Sequence, residues 1–247
     1  MRDYALETDK RIEFIRSMVG SAGAKGIIYG NSGGKDAVLV GILCKKACDD
    51  TVGLILPCGT KRNYEVDKTD AEAVAAQYGI SSRYIDLAAV KEQMLQSIGG
   101  DSPLTKIAVG NIASRLRMIA LYTIGSSENR LVAGTGNRSE NYMGYFTKWG
   151  DGAYDFNPIA DLTVTEVYEY LRYLGVPGYI IEKAPSGGLF DGQTDEGEMG
   201  VTYRSIDEFL FTGATNAHDM AIIERYHRVT EHKRTMPLAY PGTEYPV

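Results

Sequence analysis

Six residues carry the clearest chemical signal in this 247-residue sequence. Asn31-Ser32-Gly33-Gly34-Lys35-Asp36 follows the short apolar run of residues 25–30 and opens a helical pattern that reaches Cys48. Two adjacent glycines let backbone N–H groups approach an anion closely, and a helix N-terminus adds a positive dipole end. The Ser32 hydroxyl can donate to the same anion, while the Asp36 carboxylate suits a hard cation such as Mg²⁺. The loop is therefore predicted to bind phosphates.

Two familiar phosphate motifs are excluded. Residues 30–37 do not match the Walker pattern G-x-x-x-x-G-K-[ST]. Gly134-Thr135-Gly136 lacks the third glycine of a dinucleotide fingerprint, because position 139 is serine. The alternative without chemistry is a plain turn between strand and helix, followed by an acidic first helical turn.

Strands that alternate with helices must position this loop. The predicted strands are residues 25–30, 51–56, 82–87 and 131–134, and the predicted helices are 4–19, 35–48, 67–78, 88–97, 105–126, 163–174, 205–212 and 218–231. This alternation predicts an α/β fold with a doubly wound, mostly parallel sheet covered by helices on both faces. We expect a five-stranded, Rossmann-like sheet in a single domain, residues 1–247. Residues 150–161 and 184–199 are predicted loops.

The charge and composition of the sequence argue against nucleic acid and membranes as partners. The formal net charge of −6 and the pI of about 5.2 argue against nucleic acid as a partner. No run approaches the roughly 20 apolar residues of a membrane span, and the charged N-terminus lacks a signal core, so we expect a cytoplasmic protein without membrane contact. Cys44 and Cys48, one helical turn apart, are interpreted as buried thiols rather than a metal pair, because no histidine lies close in sequence.

The motifs resemble one family along nearly the whole chain. Ser32–Asp36 resembles the SGGxDS loop of the ATP pyrophosphatases, which cleave ATP between the α and β phosphates. Residues 134–152 and 155–159 resemble the GTxxxxE, GYFTKxGDG and DxNP signature of NAD synthetases. Three further segments, 183–186, 192–196 and 231–234, match the same family in the same order.

The resemblance implies an activity. Such an enzyme amidates deamido-NAD⁺ to NAD⁺, using ATP and Mg²⁺, through an adenylate, with release of AMP and pyrophosphate. It would be a ligase that forms a C–N bond in an adenine nucleotide alpha hydrolase-like fold. With 247 residues there is no room for a glutaminase domain, so free ammonia is the expected nitrogen donor. A homodimer is also implied.

The resemblance also assigns roles to individual residues. The residues implied for ATP are Gly30, Asn31, Ser32, Gly33, Gly34, Lys35, Asp36, Ala37, Thr135 and Ser186. Those implied for deamido-NAD⁺ are Arg115, Lys148, Asp155, His232 and Lys233. Asp36 and Glu140 would bind Mg²⁺, and Asp151 and Glu198 would form the ammonia site, with Ser32 assisting catalysis. Residues 186–199 are the expected lid.

Several of these residues have simpler interpretations. Arg115 could be a surface charge, Glu140 a helix cap, Asp151 part of a turn, and Glu198 and His232-Lys233 solvated surface. Two positions also depart from the family pattern. Ala37 replaces a serine, and Val164 replaces a lysine that contacts ATP in many members. We hypothesise that Lys35 supplies the missing charge.

Two other functions stay open at this point. A different ATP pyrophosphatase, such as a tRNA-modifying enzyme, is opposed by the acidic charge and the absence of C-x-x-C. A non-catalytic nucleotide-binding relative is supported by Ala37 and Val164, and opposed by Asp36, Glu140 and Lys148 together.

Overall fold

The computed structural model describes residues 2–99, 103–183, 185–190 and 192–240. Four strands form one sheet, β1 Gly26–Gly30, β2 Thr51–Ile55, β3 Ser81–Tyr84 and β4 Arg130–Ala133. Their order is β3-β2-β1-β4 and every neighbouring pair is parallel. The register pairs Ile28 with Val52 on one side and with Val132 on the other. The predicted parallel α/β fold is therefore confirmed.

Helices connect and cover these strands. They are α1 Tyr4–Ser21, α2 Lys35–Ala47, α3 Lys68–Tyr78, α4 Ala88–Ile98, α5 Lys106–Glu128, α6 Arg138–Met143, α7 Val164–Tyr173, α8 Gly178–Ile181, α9 Asp195–Met199, α10 Tyr203–Thr212, α11 Ala217–Val229 and α12 Glu231–Arg234. A π-helical turn, Asn63–Asp67, runs directly into α3. Gly79 ends α3 with φ +64°, the left-handed cap conformation that glycine adopts without a Cβ penalty.

The two faces of β1 build the two halves of the core. Ile27 and Tyr29 point to the side covered by α2 and α7, and Ile28 points to the side covered by α5. All three side chains are fully buried, as the period-two alternation of a strand between two helical layers requires. A third apolar cluster, which includes Met143 and Ile223, joins α6 and α7 to α10 and α11.

The expectation of five strands is wrong for the described residues, in which the sheet has four strands. A single parallel bridge joins Ala133 to Phe156 at the position of a fifth strand. The Asp155 carboxylate accepts a hydrogen bond from the Val132 amide at 2.7 Å, so a side chain replaces a ladder carbonyl, and Pro158 stands two residues after Phe156. Since proline has no N–H to donate, pairing stops after one bridge.

Two smaller outcomes concern loops and thiols. The predicted loop 184–199 ends in helix α9, while its residues 184 and 191 lie outside the described residues. Cys44 is fully buried in the core, and burial raises the pKa of its thiol. Cys48 is only half-buried, so the interpretation as a buried thiol is wrong for it. None of the helices in the described ranges combines the length and the apolar character that crossing a bilayer requires.

Candidate active site at the carboxyl end of the sheet

A cavity of about 530 Å³ opens where the connections from β1 and β4 diverge. The chain leaves β1 for α2 and β2, and β4 lies on the opposite side of β1. Such a switch point leaves a crevice outside the carboxyl ends of the strands, which is where open α/β sheets bind ligands. Residues from the β1–α2 loop, the β4–α6 loop, α5 and the segments after α6 and α8 line it.

The predicted phosphate-binding loop, residues 31–36, is shaped by the backbone of Gly33 and the side chain of Asn31. Gly33 has φ +66°, and a Cβ there would lie 2.7 Å from the Asp67 carbonyl oxygen. The buried Asn31 side chain donates to the Ala71 carbonyl at 3.1 Å and accepts from the Gly33 amide at 3.4 Å. Asn31 thus fastens the loop to α3, besides lining the cavity.

The first turn of α2 faces the cavity without a side-chain cap. Its N-cap is Gly34, which has no side chain to form a capping hydrogen bond. Ala37, the last residue predicted in the loop, packs into the core. The free N–H groups of this turn and the helix dipole suit an anion. Every residue of the predicted ATP set except Gly33 lines the cavity, and Gly33 shapes the loop.

Carboxylates gather beside this loop around one lysine. The Lys35 ammonium lies 2.7 Å from Asp36 Oδ2 and 4.0 Å from Glu140 Oε1. Burial, and then repulsion from Asp36, raises the pKa of Glu140 well above its usual range. Burial also raises the pKa of Asp195, the third acid of the cluster. One ammonium therefore does not balance the three carboxyl groups.

Glu140 is held in place by a reciprocal helix cap, as its simpler interpretation predicted. Its Oε2 accepts the Asn137 amide at 3.0 Å, and the Asn137 side chain caps the Glu140 amide in return, a reciprocal capping box. The Asn137 side-chain amide also donates to Asp36 Oδ1 at 3.1 Å. The cap therefore fixes Glu140 and Asp36 on the same side of the cavity.

The oxygen donors suit a hard cation that shares its shell with a ligand. In the described ranges, no three carboxylate, imidazole or thiolate groups converge to hold a metal alone. Mg²⁺ typically takes one or two carboxylates together with substrate phosphates and water. Asp36 and Glu140, beside an anion-binding helix end, fit that pattern.

The two predicted ammonia-site acids both line the cavity. Asp151 Oδ1 accepts from the Ser114 hydroxyl at 2.6 Å and from the Thr147 amide at 3.0 Å. The turn interpretation of Asp151 thus also holds, because its carboxylate organises residues 147–151. Glu198 is exposed, as its surface interpretation predicted, but its Oε2 accepts from the Tyr145 hydroxyl at 2.5 Å and from the Gln193 amide at 2.9 Å.

The residues predicted for the second substrate separate into three places. Lys233 lines the cavity and donates to the carbonyls of Gly144 and Phe146, both at 2.8 Å. Arg115, Lys148 and His232 form a rim outside the cavity, in which Arg115 and His232 are exposed and the half-buried Lys148 bridges them. Asp155 instead supports β4 through the Val132 amide and does not line the cavity.

Val164 is buried at the start of α7, in the apolar cluster that also holds Tyr203. The Lys35 ammonium faces the other side of that neighbourhood, 5.6 Å from the centre of the Tyr203 ring. The hypothesis that Lys35 supplies the missing charge stays a prediction.

Sequence reasoning missed several groups in the cavity wall. Arg117 donates to the Leu56 carbonyl at 2.9 Å and to the Asn63 side chain at 3.1 Å, and burial lowers the pKa of its guanidinium. Lys183 makes ion pairs with Asp67 at 2.8 Å and Asp70 at 2.7 Å. Lys183 lies in the matched segment 183–186, but its aspartate partners are distant in sequence, so the motif did not signal these ion pairs. Gln193 and Asp195 belong to a matched motif and carried that signal.

Comparisons with known proteins agree with this geometry. The family model described as NAD synthase matches residues 7–237. An NH(3)-dependent NAD(+) synthetase from Carboxydothermus hydrogenoformans is 43% identical over 234 residues, which is 94% of this chain and 95% of the relative.

Two solved structures resemble the whole chain. One is an NMN synthetase from Francisella tularensis, with a TM-score of 0.92 and 36% identity over 98% of this chain and 100% of that protein. The other is an NH3-dependent NAD synthetase from Campylobacter jejuni in complex with the nitrate ion, with a TM-score of 0.79 and 29% identity, covering 97% and 100% of the two chains.

Proposed function

This chain belongs to the NAD synthase family, and from that premise we propose that it amidates deamido-NAD⁺ to NAD⁺ with ammonia at the expense of ATP. The observation that carries the proposal is the combination found in one cavity. An uncapped helix N-terminus, a pair of carboxylates and a separate anchored acid, Asp151, all face it. A nucleotide triphosphate, a cation and ammonium are the ligands that these three features suit.

The first half-reaction would occur at the β1–α2 loop. A nicotinate carboxylate oxygen attacks the α-phosphorus of ATP, the bond to the β-phosphate oxygen breaks, and pyrophosphate leaves. The free amides at the start of α2 and the Ser32 hydroxyl are fixed donors for the triphosphate oxygens. Mg²⁺, when held by Asp36 and Glu140, would neutralise charge on the departing pyrophosphate.

The second half-reaction needs a neutral nucleophile. Ammonium binds to an anion, and a carboxylate can then accept its proton before ammonia attacks the adenylate carbonyl and AMP leaves. Asp151 and Glu198 are the candidates, since each lines the cavity and is held by neighbouring hydrogen bonds. Thr135 and Ser186, also in the wall, would contact ATP.

The adenylate must be kept from water, which argues for a closing segment. Residues 185–190 and 192–199 cover one side of the cavity, where Asn63 donates to the Gly188 carbonyl at 3.4 Å. Ion pairs of Lys183 with the two aspartates of the π turn and α3 tie the start of this segment down. These contacts support the role of a lid.

The rim outside the cavity supports a homodimer as part of the proposal. Arg115, Lys148 and His232 lie outside the cavity, so in one chain they could touch only a protruding part of a dinucleotide. Exposed apolar side chains on α4 and α5 offer a surface for a second copy; they are Val90, Met94, Ile98, Ile107 and Ile119. Light scattering coupled to gel filtration would test this directly, and a monomer at micromolar concentration would count against it.

A second candidate acceptor is nicotinate mononucleotide, with nicotinamide mononucleotide as product. The observation that favours it is the TM-score of 0.92 to the Francisella tularensis NMN synthetase, against 0.79 to the Campylobacter jejuni NAD synthetase. The chemistry at the carboxylate is the same for both acceptors. They differ only in the adenylyl group that a dinucleotide carries.

The test is pyrophosphate release from Mg-ATP with deamido-NAD⁺, nicotinate mononucleotide or no acceptor, each with and without ammonium. We expect release that requires an acceptor, with the amide product appearing only when ammonium is present. A higher kcat/KM for the mononucleotide would replace the main proposal by the second candidate. ATP binding without release in every arm would refute both and favour the non-catalytic relative.

Matched variants connect the result to the site. Asp36→Asn should abolish release while Asp49→Asn, a fully exposed residue just beyond α2, should leave it unchanged. Equal activity of the two variants would refute the role given to Asp36.

A further inference from the structure

Lys35 is a buried ammonium placed between two acids. Its side chain is 6% exposed, and Nζ lies 2.7 Å from Asp36 Oδ2 and 4.0 Å from Glu140 Oε1. The rings of Tyr168 and Tyr203 lie 6.0 Å and 5.6 Å from it. Lysine is almost never buried to this degree unless it is paired.

The surroundings keep the ammonium charged. The carboxylates of Asp36 and Glu140 both attract a positive charge at these distances. The aromatic faces add a further favourable contact for a cation. The Lys35 ammonium therefore occupies the space shared by the two carboxylates.

That space is the one our proposed function gives to the divalent cation, so the present inference rests on that proposal. A cation entering between Asp36 and Glu140 would meet the ammonium at short range and be repelled by it. The ion pair with Asp36 also occupies one oxygen that the cation would need. A site with this arrangement has low affinity for a metal alone.

A bound nucleotide would reduce this repulsion of the cation. Lys35 is also the first residue of α2, where the triphosphate is expected. Its flexible four-carbon stem lets the ammonium follow a stronger anion. Phosphate oxygens at the helix end would attract it away from the acids and would offer ligands to the cation at the same time.

We propose that Lys35 makes metal binding conditional on ATP, by filling the space between Asp36 and Glu140 until the triphosphate draws it away. Metal and nucleotide then enter as a unit, and the free protein does not hold a cation that would have to be displaced. Lys35 is a positioning residue in this scheme rather than a catalytic one.

The test is Mn²⁺ binding followed by electron paramagnetic resonance of the free ion, with and without α,β-methylene-ATP, which cannot release pyrophosphate. Lys35→Met removes the ammonium group but keeps most of the length of the side chain. Lys35→Arg keeps the charge, and Lys46→Met removes an exposed lysine from the same helix as the matched control. Lys35→Gln serves if the Met variant does not fold, as judged by circular dichroism.

Without nucleotide, we expect Lys35→Met to bind Mn²⁺ at least about tenfold more tightly than the unmodified protein, because one repelling charge is removed. The Arg variant and the Lys46 control should behave like the unmodified protein. With the ATP analogue, the advantage of Lys35→Met should vanish or reverse.

Equal Mn²⁺ affinity of Lys35→Met and unmodified protein without nucleotide would overturn the inference while leaving the metal assignment intact. Absence of Mn²⁺ binding in every protein even with the analogue would overturn the assignment of Asp36 and Glu140 itself, and this inference with it. Thermal unfolding with and without MgCl₂ gives a second readout that is independent of turnover. Only Lys35→Met should be stabilised by the metal alone.

Discussion

Gly33→Ala is the sharpest single test of how the phosphate loop is built. Gly33 has φ +66°, and a Cβ there would lie 2.7 Å from the Asp67 carbonyl oxygen and 2.9 Å from the Ala71 amide nitrogen. Both neighbours are backbone atoms, so neither can turn away as the end of a side chain would. The loop or the start of α3 must therefore move.

The expected loss of unfolding free energy in Gly33→Ala is the sum of two separate penalties. The left-handed conformation costs about 1–2 kcal/mol for a residue with a Cβ. Forcing an extra methyl group against packed backbone adds roughly 1–3 kcal/mol. We therefore expect the free energy of unfolding to fall by about 2–5 kcal/mol in total.

Gly79→Ala separates the two penalties. Gly79 has φ +64°, almost the same conformation, but a Cβ there would have no atom within 4 Å. This variant should lose only the conformational part, about 1–2 kcal/mol, with ATP affinity unchanged.

Urea denaturation of both variants, with the slope checked for constancy, measures the difference, and calorimetric titration with ATP measures the binding. Gly33→Ala should also weaken ATP binding by about tenfold or more, because displaced loop amides lose hydrogen bonds worth about 1 kcal/mol each. If the two variants are equally stable, or if Gly33→Ala binds ATP normally, the contact argument for this loop is wrong.

Three further predictions follow from other contacts. Ser114→Ala should raise the KM for ammonium several-fold with little change in the KM for ATP, because Ser114 holds Asp151 at 2.6 Å; an unchanged KM for ammonium in steady-state assays would contradict this. Lys183→Met should increase the rate of limited proteolysis within residues 185–199, because the ion pairs of Lys183 with Asp67 and Asp70 are lost. Lys46→Met should leave that rate unchanged, and equal rates for the two variants would contradict the role given to these ion pairs. Arg83 and then Arg130 hold the pKa of Glu128 down to about 2, from an ordinary value of 4.5. An acid whose pKa is lower in the folded protein stabilises the fold at pH values above its unfolded pKa. The difference in unfolding free energy between the unmodified protein and Glu128→Gln should therefore be present near neutral pH and disappear as the pH falls from 4.5 towards 2. A difference independent of pH in urea unfolding would refute that assignment.

Local patterns predicted the helices and strands well. The apolar run before Asn31, the double glycine and the helical pattern after it correctly indicated β1, the loop and α2. Periodicity is a property of neighbouring residues, and burial on one or two faces imposes it directly. The count of strands was wrong because pairing after Ala133 depends on where the Asp155 side chain lies, which periodicity does not encode.

The site shows the same division. The loop, Glu140, Asp151 and Glu198 were predicted from motifs, and the structure places all of them around one cavity. The assignments of Arg115, Lys148 and His232 to a substrate stay predictions, since these residues lie outside the cavity. Asp155 supports β4 in this chain, so its predicted contact with substrate is also untested.

The sequence by itself determined the order of elements, the phosphate loop and the family, because these depend on the types and spacing of residues close together in the chain. Only the tertiary structure decided which charges meet. Lys35 faces Glu140, and Lys183 pairs with Asp67, across separations of 105 and 116 positions that no local pattern spans. A charge acts through space over a few ångströms, so its partners become known only when the chain is folded.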